Sequence, residues 1–489
     1  MRLVALIASA LSLFGQTTSS GPVIGRESDG VKSWLGISYA APPTGDLRWR
    51  PPQAAVSWKE PRAMDHFGPR CMQPAIGGLG GGDGKMSEDC LTLNIWAPSA
   101  ARNAAVMFWI HGGAFLTGSG SLPFYNGASL ARQGVVVVTI NYRLGVFGVF
   151  AHPELTREAS PEPAANFGFL DQIAALQWVH KNIEAFGGDP GKITIFGESA
   201  GAESVYDLMI SPAARGLFGR AIAESGPILT PLRRVAQLEQ SGLQRAQEWG
   251  AGNLKAMRAM PADRILDSSG RAIGQSQPVI DGKYIPDEPA RLFARGRQAP
   301  VPFLLGANSF EASLMTALQI NPRNLVAMAG GDNTRVREIY GDDPQRQGQG
   351  LFMDVGFLAP VRFLAAQMEK VQRPAYLYYF SYVLTRRRAQ AQGVAHGGEI
   401  PFIFDNLTGP LAAFTSPADR EMADVASGYW AQFAKTGKPD QKGAPVWPAY
   451  ATPADEWLDL GSPIQVRPQF RKSVLDAAET LFRLRLGIQ

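Results

Sequence analysis

Apolar residues recur along this chain in two arrangements that together predict a layered α/β protein. Unbroken runs over residues 104–110, 135–140, 192–196, 221–223 and 301–306 have the length and character of strands buried on both faces. Between them, apolar positions return at helical spacing. Ile173, Leu176, Val179 and Ile183 line one face across residues 171–186, and Val205, Leu208 and Met209 do so across 202–210. Buried strands alternating with such helices predict a mostly parallel central sheet flanked by helices on both sides. Two long excursions, about 233–297 and about 321–373, lack clear strand runs and are predicted to form helical cap structure around a pocket. One catalytic domain over residues 21–489 is expected to carry both.

Chemistry enters at the junction of run 192–196 with the helix that follows. Gly197-Glu198-Ser199-Ala200-Gly201 is the Gly-x-Ser-x-Gly pattern in its required context of strand, sharp turn and helix. Glycine on both sides lets strand and helix approach while the turn lifts the Ser199 hydroxyl at the helix N-terminus. Upstream, the run 104–110 ends in His111-Gly112-Gly113-Ala114-Phe115. Acyl transfer places negative charge on the former carbonyl oxygen, and fixed backbone N–H groups stabilise it. The amides of Gly112, Gly113 and Ala200 are the candidate oxyanion donors, with Phe115 expected to wall the pocket.

A nucleophilic serine needs a base. Of the five histidines, His66, His111, His152 and His180 precede Ser199, and only His396 follows it. An α/β-hydrolase carries its triad in the order serine, acid, histidine, so His396 is the candidate base. For the acid, Glu311 follows the buried run 301–306, and the carboxyl ends of strands gather ligands and catalytic groups in open α/β sheets. Asp281 competes, although an Asp-Gly pair such as Asp281-Gly282 more often marks a turn.

These motifs, with several others, resemble the type-B carboxylesterases, the branch of the α/β-hydrolases that includes the cholinesterases. Gly36-Ile37-Ser38-Tyr39-Ala40-Ala41-Pro42-Pro43 with Leu47-Arg48-Trp49 is similar to that family's N-terminal signature, and Glu88-Asp89-Cys90-Leu91-Thr92-Leu93-Asn94-Ile95 to its second. Asn141-Tyr142-Arg143-Leu144-Gly145 and Phe186-Gly187-Gly188-Asp189-Pro190 also resemble family segments, so the likeness runs through most of the chain. It implies an α/β-hydrolase fold and a serine carboxylesterase using Ser199, His396 and Glu311 through an acyl-enzyme, without cofactor or metal. Ala312 departs from the glycine that commonly follows the acid. Ser225 resembles a position beside the triad, where support of the triad and ordinary strand-end capping are both open. The two cysteines, Cys71 and Cys90, resemble the family's first disulfide pair, and their joining is expected in an exported protein; free thiols in a cytosolic one are the alternative.

Met1-Arg2 followed by the apolar stretch 3–14 reads as a secretory leader over residues 1–20, too short to span a bilayer, with cleavage expected between Gln16 and Gly21. The expected location is therefore extracellular or periplasmic, with no membrane anchor. Cholinesterase-like relatives hold a tryptophan in the loop equivalent to residues 72–89; here that loop has none and contains the glycine-rich run 77–82, which argues against a choline-specific site. Arg386-Arg387-Arg388 suits either a solvated face or recognition of an ester bearing a carboxylate. The formal net charge of +4 is spread along the chain with no basic stripe interleaved with aromatics, so nucleic acid is not an expected partner. Scattered histidines with no His-x-x-x-His pair leave metal-dependent hydrolysis without support. Lipase or amidase activity from the same triad, and a non-catalytic binding role, remain as rival readings; oligomeric state is not written in these residues.

Overall fold

Burial on both faces is what turns the unbroken apolar runs into the middle of a sheet. The computed structural model describes residues 12–75, 84–268, 276–328 and 334–488. Its strands are β1 (Ser12–Thr17), β2 (Pro22–Ser28), β3 (Val31–Ser38), β4 (Arg62–Ala63), β5 (Thr92–Pro98), β6 (Ala104–Ile110), β7 (Val136–Ile140), β8 (Gly188–Glu198), β9 (Arg220–Glu224), β10 (Phe303–Asn308), β11 (Ala375–Phe380), β12 (Trp457–Leu460) and β13 (Gln465–Arg467). They form one sheet in the order β1-β2-β3-β5-β7-β6-β8-β9-β10-β11-β12-β13, with β4 beside β2. Every neighbouring pair from β7 to β12 is parallel. Antiparallel pairs close the two edges. This is the α/β-hydrolase architecture expected from the sequence.

Central strand β6 shows why its residues read as a continuous run. Val106, Phe108 and Ile110 enter the core on one face of the sheet, and Ala105, Met107 and Trp109 enter the core on the other. Ile173, Leu176, Val179 and Ile183 cover the first face from the helix Phe167–Asn182 and the turn after it. The helix Pro417–Thr436 covers the second, contributing Tyr429, Trp430 and Phe433.

The family-like segments away from the serine act as fasteners. Arg48 pairs in two-pronged fashion with Glu88, Nε to Oε1 at 2.7 Å and Nη2 to Oε2 at 2.6 Å, so the first two signatures meet in space. Buried Arg143 pairs likewise with Asp171. Cys71 and Cys90 are joined as a disulfide across 19 positions of chain. The glycine-rich run 77–82 within that loop lies outside the described residues. So do residues 1–11 of the expected leader, whereas Ser12–Thr17 form β1 at the sheet edge and the Ser19 N–H donates to Asn182 Oδ1 at 2.7 Å.

Segment 233–297 contains the helices Val235–Glu248, Leu254–Ala259, Ala262–Ser268 and Pro289–Ala294. Segment 321–373 contains Pro322–Met328, Thr334–Tyr340, Pro344–Met353, a π-helical turn Asp354–Leu358 and Ala359–Met368. The last of these behaves differently from a roof element. It packs on β10, β11 and the C-terminal helix Lys472–Leu486, and buries Val361, Leu364 and Met368 in the main core. It is a crossover helix between two parallel strands, and it is buried on nearly every side for that reason.

Candidate active site

Ser199 stands between β8 and the helix Ala200–Ile210 with φ 56° and ψ −123°, a left-handed conformation that side chains seldom adopt. Its neighbours have no room for larger residues. A Cβ on Gly201 would lie 2.0 Å from the Ile110 carbonyl oxygen, and one on Gly197 would lie 2.6 Å from the Gly201 carbonyl group. The Ser199 N–H donates to the Glu224 carbonyl at 2.9 Å, which ties the turn to β9. Such strain persists only where the surroundings dictate it.

The loop after β6 comes to the same point. A Cβ on Gly112 would sit 3.0 Å from Ser199 Cβ, and Gly113, at φ +106°, turns where a Cβ would strike the Thr117 carbonyl oxygen. Neither the Gly112 nor the Gly113 N–H has an acceptor among the described residues. The Ala200 N–H opens its helix, where regular geometry supplies no acceptor. Gly112 and Ala200 thus lie beside the serine, with Gly113 next along the same loop. Ala114 and Phe115 both have positive φ, and that double turn reverses the sequence expectation: Ala114 lines the cavity, whereas Phe115 is buried in the core. His111 stacks on Tyr142 at 4.5 Å and its Nδ1 contacts the Gly112 carbonyl; burial pulls its pKa down to about 4, so it is neutral.

Segments 308–313 and 394–396, distant in sequence, are laced together by backbone and side-chain bonds. Phe310 N–H donates to the Val394 carbonyl at 2.9 Å, Val394 N–H to Ser309 Oγ at 2.8 Å, and His396 N–H to Ser313 Oγ at 2.8 Å. The lacing sets His396 Nδ1 at 2.6 Å from Glu311 Oε2, while Glu311 Oε1 accepts from the Asn308 N–H at 2.6 Å. Glu311 is wholly buried. Asp281 lies elsewhere: it accepts from the N–H groups of Lys283, Tyr284 and Ile285 and from Asn166, as a turn residue does.

Three carboxylates that sequence reasoning did not single out complete the setting. Glu198 Oε1 lies 3.1 Å from His396 Nε2, at ion-pair range without hydrogen-bond alignment. Glu399 accepts from Asn308 Nδ2 and, at 3.4 Å, from Ser225 Oγ, so Ser225 is a wholly buried link in this network. Glu224 accepts from Trp430 Nε1 at 2.7 Å. The available signals were the x of Gly-x-Ser-x-Gly, the acid three residues beyond His396, and the acid ending a buried strand. Burial on its own would lower the His396 pKa, but the charges of Glu198, Glu311 and Glu399 outweigh it and hold the imidazole well above its ordinary value. Burial, with the neighbouring carboxylates, likewise holds Glu198 above the usual carboxylate range. The carboxylates around His396 thus favour the charged imidazolium, while burial opposes charge on Glu198.

A cavity of about 820 Å³ opens at Ser199, lined mostly by apolar side chains, including Leu314, Leu318, Leu351 and Phe352. Arg386, Arg387 and Arg388 are not among its lining residues. They lie on the surface, Arg387 over the Phe414 ring and Arg388 over that of Tyr382. Among the described residues no group of three or more His, Cys, Asp or Glu side chains is arranged to hold a metal ion.

The sequence model of the carboxylesterase family matches residues 15–339 and 334–477, nearly the whole chain. This protein belongs to the carboxylesterase family. Like other carboxylesterases it is a carboxylic ester hydrolase. A fumonisin B1 esterase of Sphingopyxis macrogoltabida is 36% identical over 462 residues, covering 88% of this chain and 84% of the relative. A para-nitrobenzyl esterase of Bacillus subtilis (strain 168) is 34% identical, covering 92% and 95%. Among solved structures, a PNB esterase superimposes with a TM-score of 0.82 at 32% identity, covering 94% of this chain and 99% of that one. A Geobacillus stearothermophilus carboxylesterase gives 0.83 at 33% identity, covering 95% and 99%. Carboxylesterase membership accounts for the sheet order and for the elbow at its centre.

Proposed function

We propose that this carboxylesterase hydrolyses small-molecule esters through an acyl-enzyme, with Ser199 as nucleophile, His396 as general base and Glu311 as the carboxylate that orients it. The supporting observation is the 2.6 Å contact between Glu311 and His396 Nδ1, placed beside a serine held at positive φ. That contact fixes the tautomer in which Nε2 carries the lone pair. Nε2 takes the proton of Ser199 Oγ as Oγ bonds to the ester carbonyl carbon, and the Gly112, Gly113 and Ala200 amides receive the oxyanion. The C–O bond to the alcohol then breaks as Nε2 returns the proton to the leaving oxygen. Water repeats both steps on the acyl-serine, releasing the acid and restoring the serine. His396 Nε2 has no hydrogen-bond partner among the described residues.

We further propose that segments 233–297 and 321–373 set substrate choice, since Gln277, Leu325, Phe352 and Val355 all line the cavity. The apolar start of the chain acts as an export leader in this reading, and the Cys71–Cys90 disulfide suits an oxidising compartment. Hydrolysis of p-nitrophenyl acetate, butyrate and palmitate beside Ser199→Ala tests the scheme. Turnover lost in the variant is expected; an equal rate in both proteins removes Ser199 from the mechanism.

A further inference from the structure

Among the described residues, one cation lines the mostly apolar cavity at Ser199. Arg485, in the last turn of the helix Lys472–Leu486, lines it together with Leu481. Its Nη2 donates to the Ile228 carbonyl oxygen, its guanidinium lies 5.9 Å from the Phe482 ring centroid, and its Nε is buried without an acceptor. No carboxylate forms an ion pair with it among the described residues. The four buried arginines among the described residues are paired: Arg48 with Glu88, Arg143 with Asp171, Arg258 with Glu158, and Arg362 with Asp455 and Asp476. A guanidinium taken out of water without an anion is costly, and it does not discharge by losing its proton.

Two nearby acids make no ion pair with it among the described residues. Glu288 is near enough to favour the charged guanidinium, and its carboxylate also accepts from the Leu232 N–H at 2.9 Å. Glu203 lines the cavity itself and accepts from Gln277 Nε2 at 2.7 Å. Burial pushes its pKa up to about 8, so it is largely neutral at pH 7. The cavity thus presents a mostly apolar wall, a neutral acid and a cation without an ion-pair partner among the described residues.

We propose that the preferred substrates are esters bearing a second, ionised carboxylate on an apolar arm, with Arg485 as its counter-ion. The proposal rests on the esterase reading of Ser199, and binding separates the two. It names no new chemical step: the ester reacts at Ser199 while the distant carboxylate stays intact.

Two substrate pairs test it: monoethyl adipate against ethyl hexanoate, with the charge on the acyl side, and 6-acetoxyhexanoate against hexyl acetate, with the charge on the alcohol side. Wild-type protein is expected to favour the charged ester in at least one pair, mainly through KM. Arg485→Gln should lower that preference about 10- to 100-fold, the scale of a hydrogen-bonded charge, and Arg485→Lys should keep part of it. Preference for the neutral ester in both pairs overturns the proposal even if no variant folds. So does a ratio unchanged in a folded Arg485→Gln. Calorimetry of adipate with Ser199→Ala reads the same site without turnover. Binding lost in Ser199→Ala/Arg485→Gln supports the site even if Ser199 proves not to be the nucleophile. Failure of adipate to bind overturns the proposal while leaving ester hydrolysis standing.

Discussion

The floor and the roof of the cavity are built to different tolerances. At the floor, the ends of β6, β8, β9 and β10 meet with little free space: Glu311 and Ser225 are fully buried, Ser199 is 8% exposed, and a single added methyl at Gly201 collides with backbone. At the roof, Asn321 and Asn324 are exposed and Leu325 is half-buried, although all three line the same cavity. Chemistry needs reacting groups held within fractions of an ångström. Substrate choice needs shape and charge, which the proposed cap segments can vary without disturbing the strand ends.

Substitutions at the floor are therefore expected to dominate, and Glu311→Gln most of all. The amide leaves the geometry in place but stabilises the wrong imidazole tautomer, so kcat should fall about 10^4-fold, measured on p-nitrophenyl butyrate. A loss below tenfold removes Glu311 from the triad. Gly112→Ala comes next. Its Cβ would press on Ser199 Cβ at 3.0 Å and on Glu198, displacing the proposed nucleophile and one proposed oxyanion donor. A kcat reduced about 10^2- to 10^3-fold is expected, with KM little changed.

That contrast also explains what could be read from sequence. Strands β6, β8 and β10 were legible because burial on both faces demands apolar runs, and Gly197, Gly201, Gly112 and Gly113 because close backbone approach forbids side chains. His396 followed from the order of the chain. Glu198 and Glu399 escaped notice because a carboxylate carries no periodic signature, and the meaning of each comes from contacts with His396 and Asn308, which the fold alone brings together. Phe115 was misplaced by one position because two successive positive φ values at Ala114 and Phe115 are invisible in residue type. The roof was read least well. Residues 359–368 continue a long segment that lacks strand runs, and only their packing against β10 and β11 reveals a crossover.

Away from both regions, opening the Cys71–Cys90 link by Cys71→Ser should lower unfolding free energy by about 3 kcal/mol in denaturant titrations while sparing kcat. A variant as stable as the parent would show that the Arg48–Glu88 pair already holds that loop. Within the floor, Glu198→Gln tunes rather than destroys. Three carboxylates hold the His396 pKa above its ordinary value, and the base works only when neutral, so kcat/KM rises as pH climbs through that titration. Removing one negative charge lets the imidazolium lose its proton at lower pH. The acid limb of the pH profile should shift toward lower pH, and an unmoved or raised limb contradicts a role for the Glu198 charge in holding the His396 pKa up.

The smallest effect is expected at the roof, where it decides whether the comparison holds. Leu325→Ala removes a half-buried side chain from the cavity lining without opening the main core. Its stability cost should stay near or below ~1 kcal/mol, because a partly exposed site gives up little transfer free energy and solvent or neighbours can fill the gap. Its catalytic cost should fall on KM by a few-fold and differ between acetate and longer acyl esters, since only a substrate long enough to touch Leu325 loses the contact. An equal change in kcat for every ester would mean that the roof is coupled to the elbow. The separation of tight floor from permissive roof would then fail at the residue where it is easiest to test.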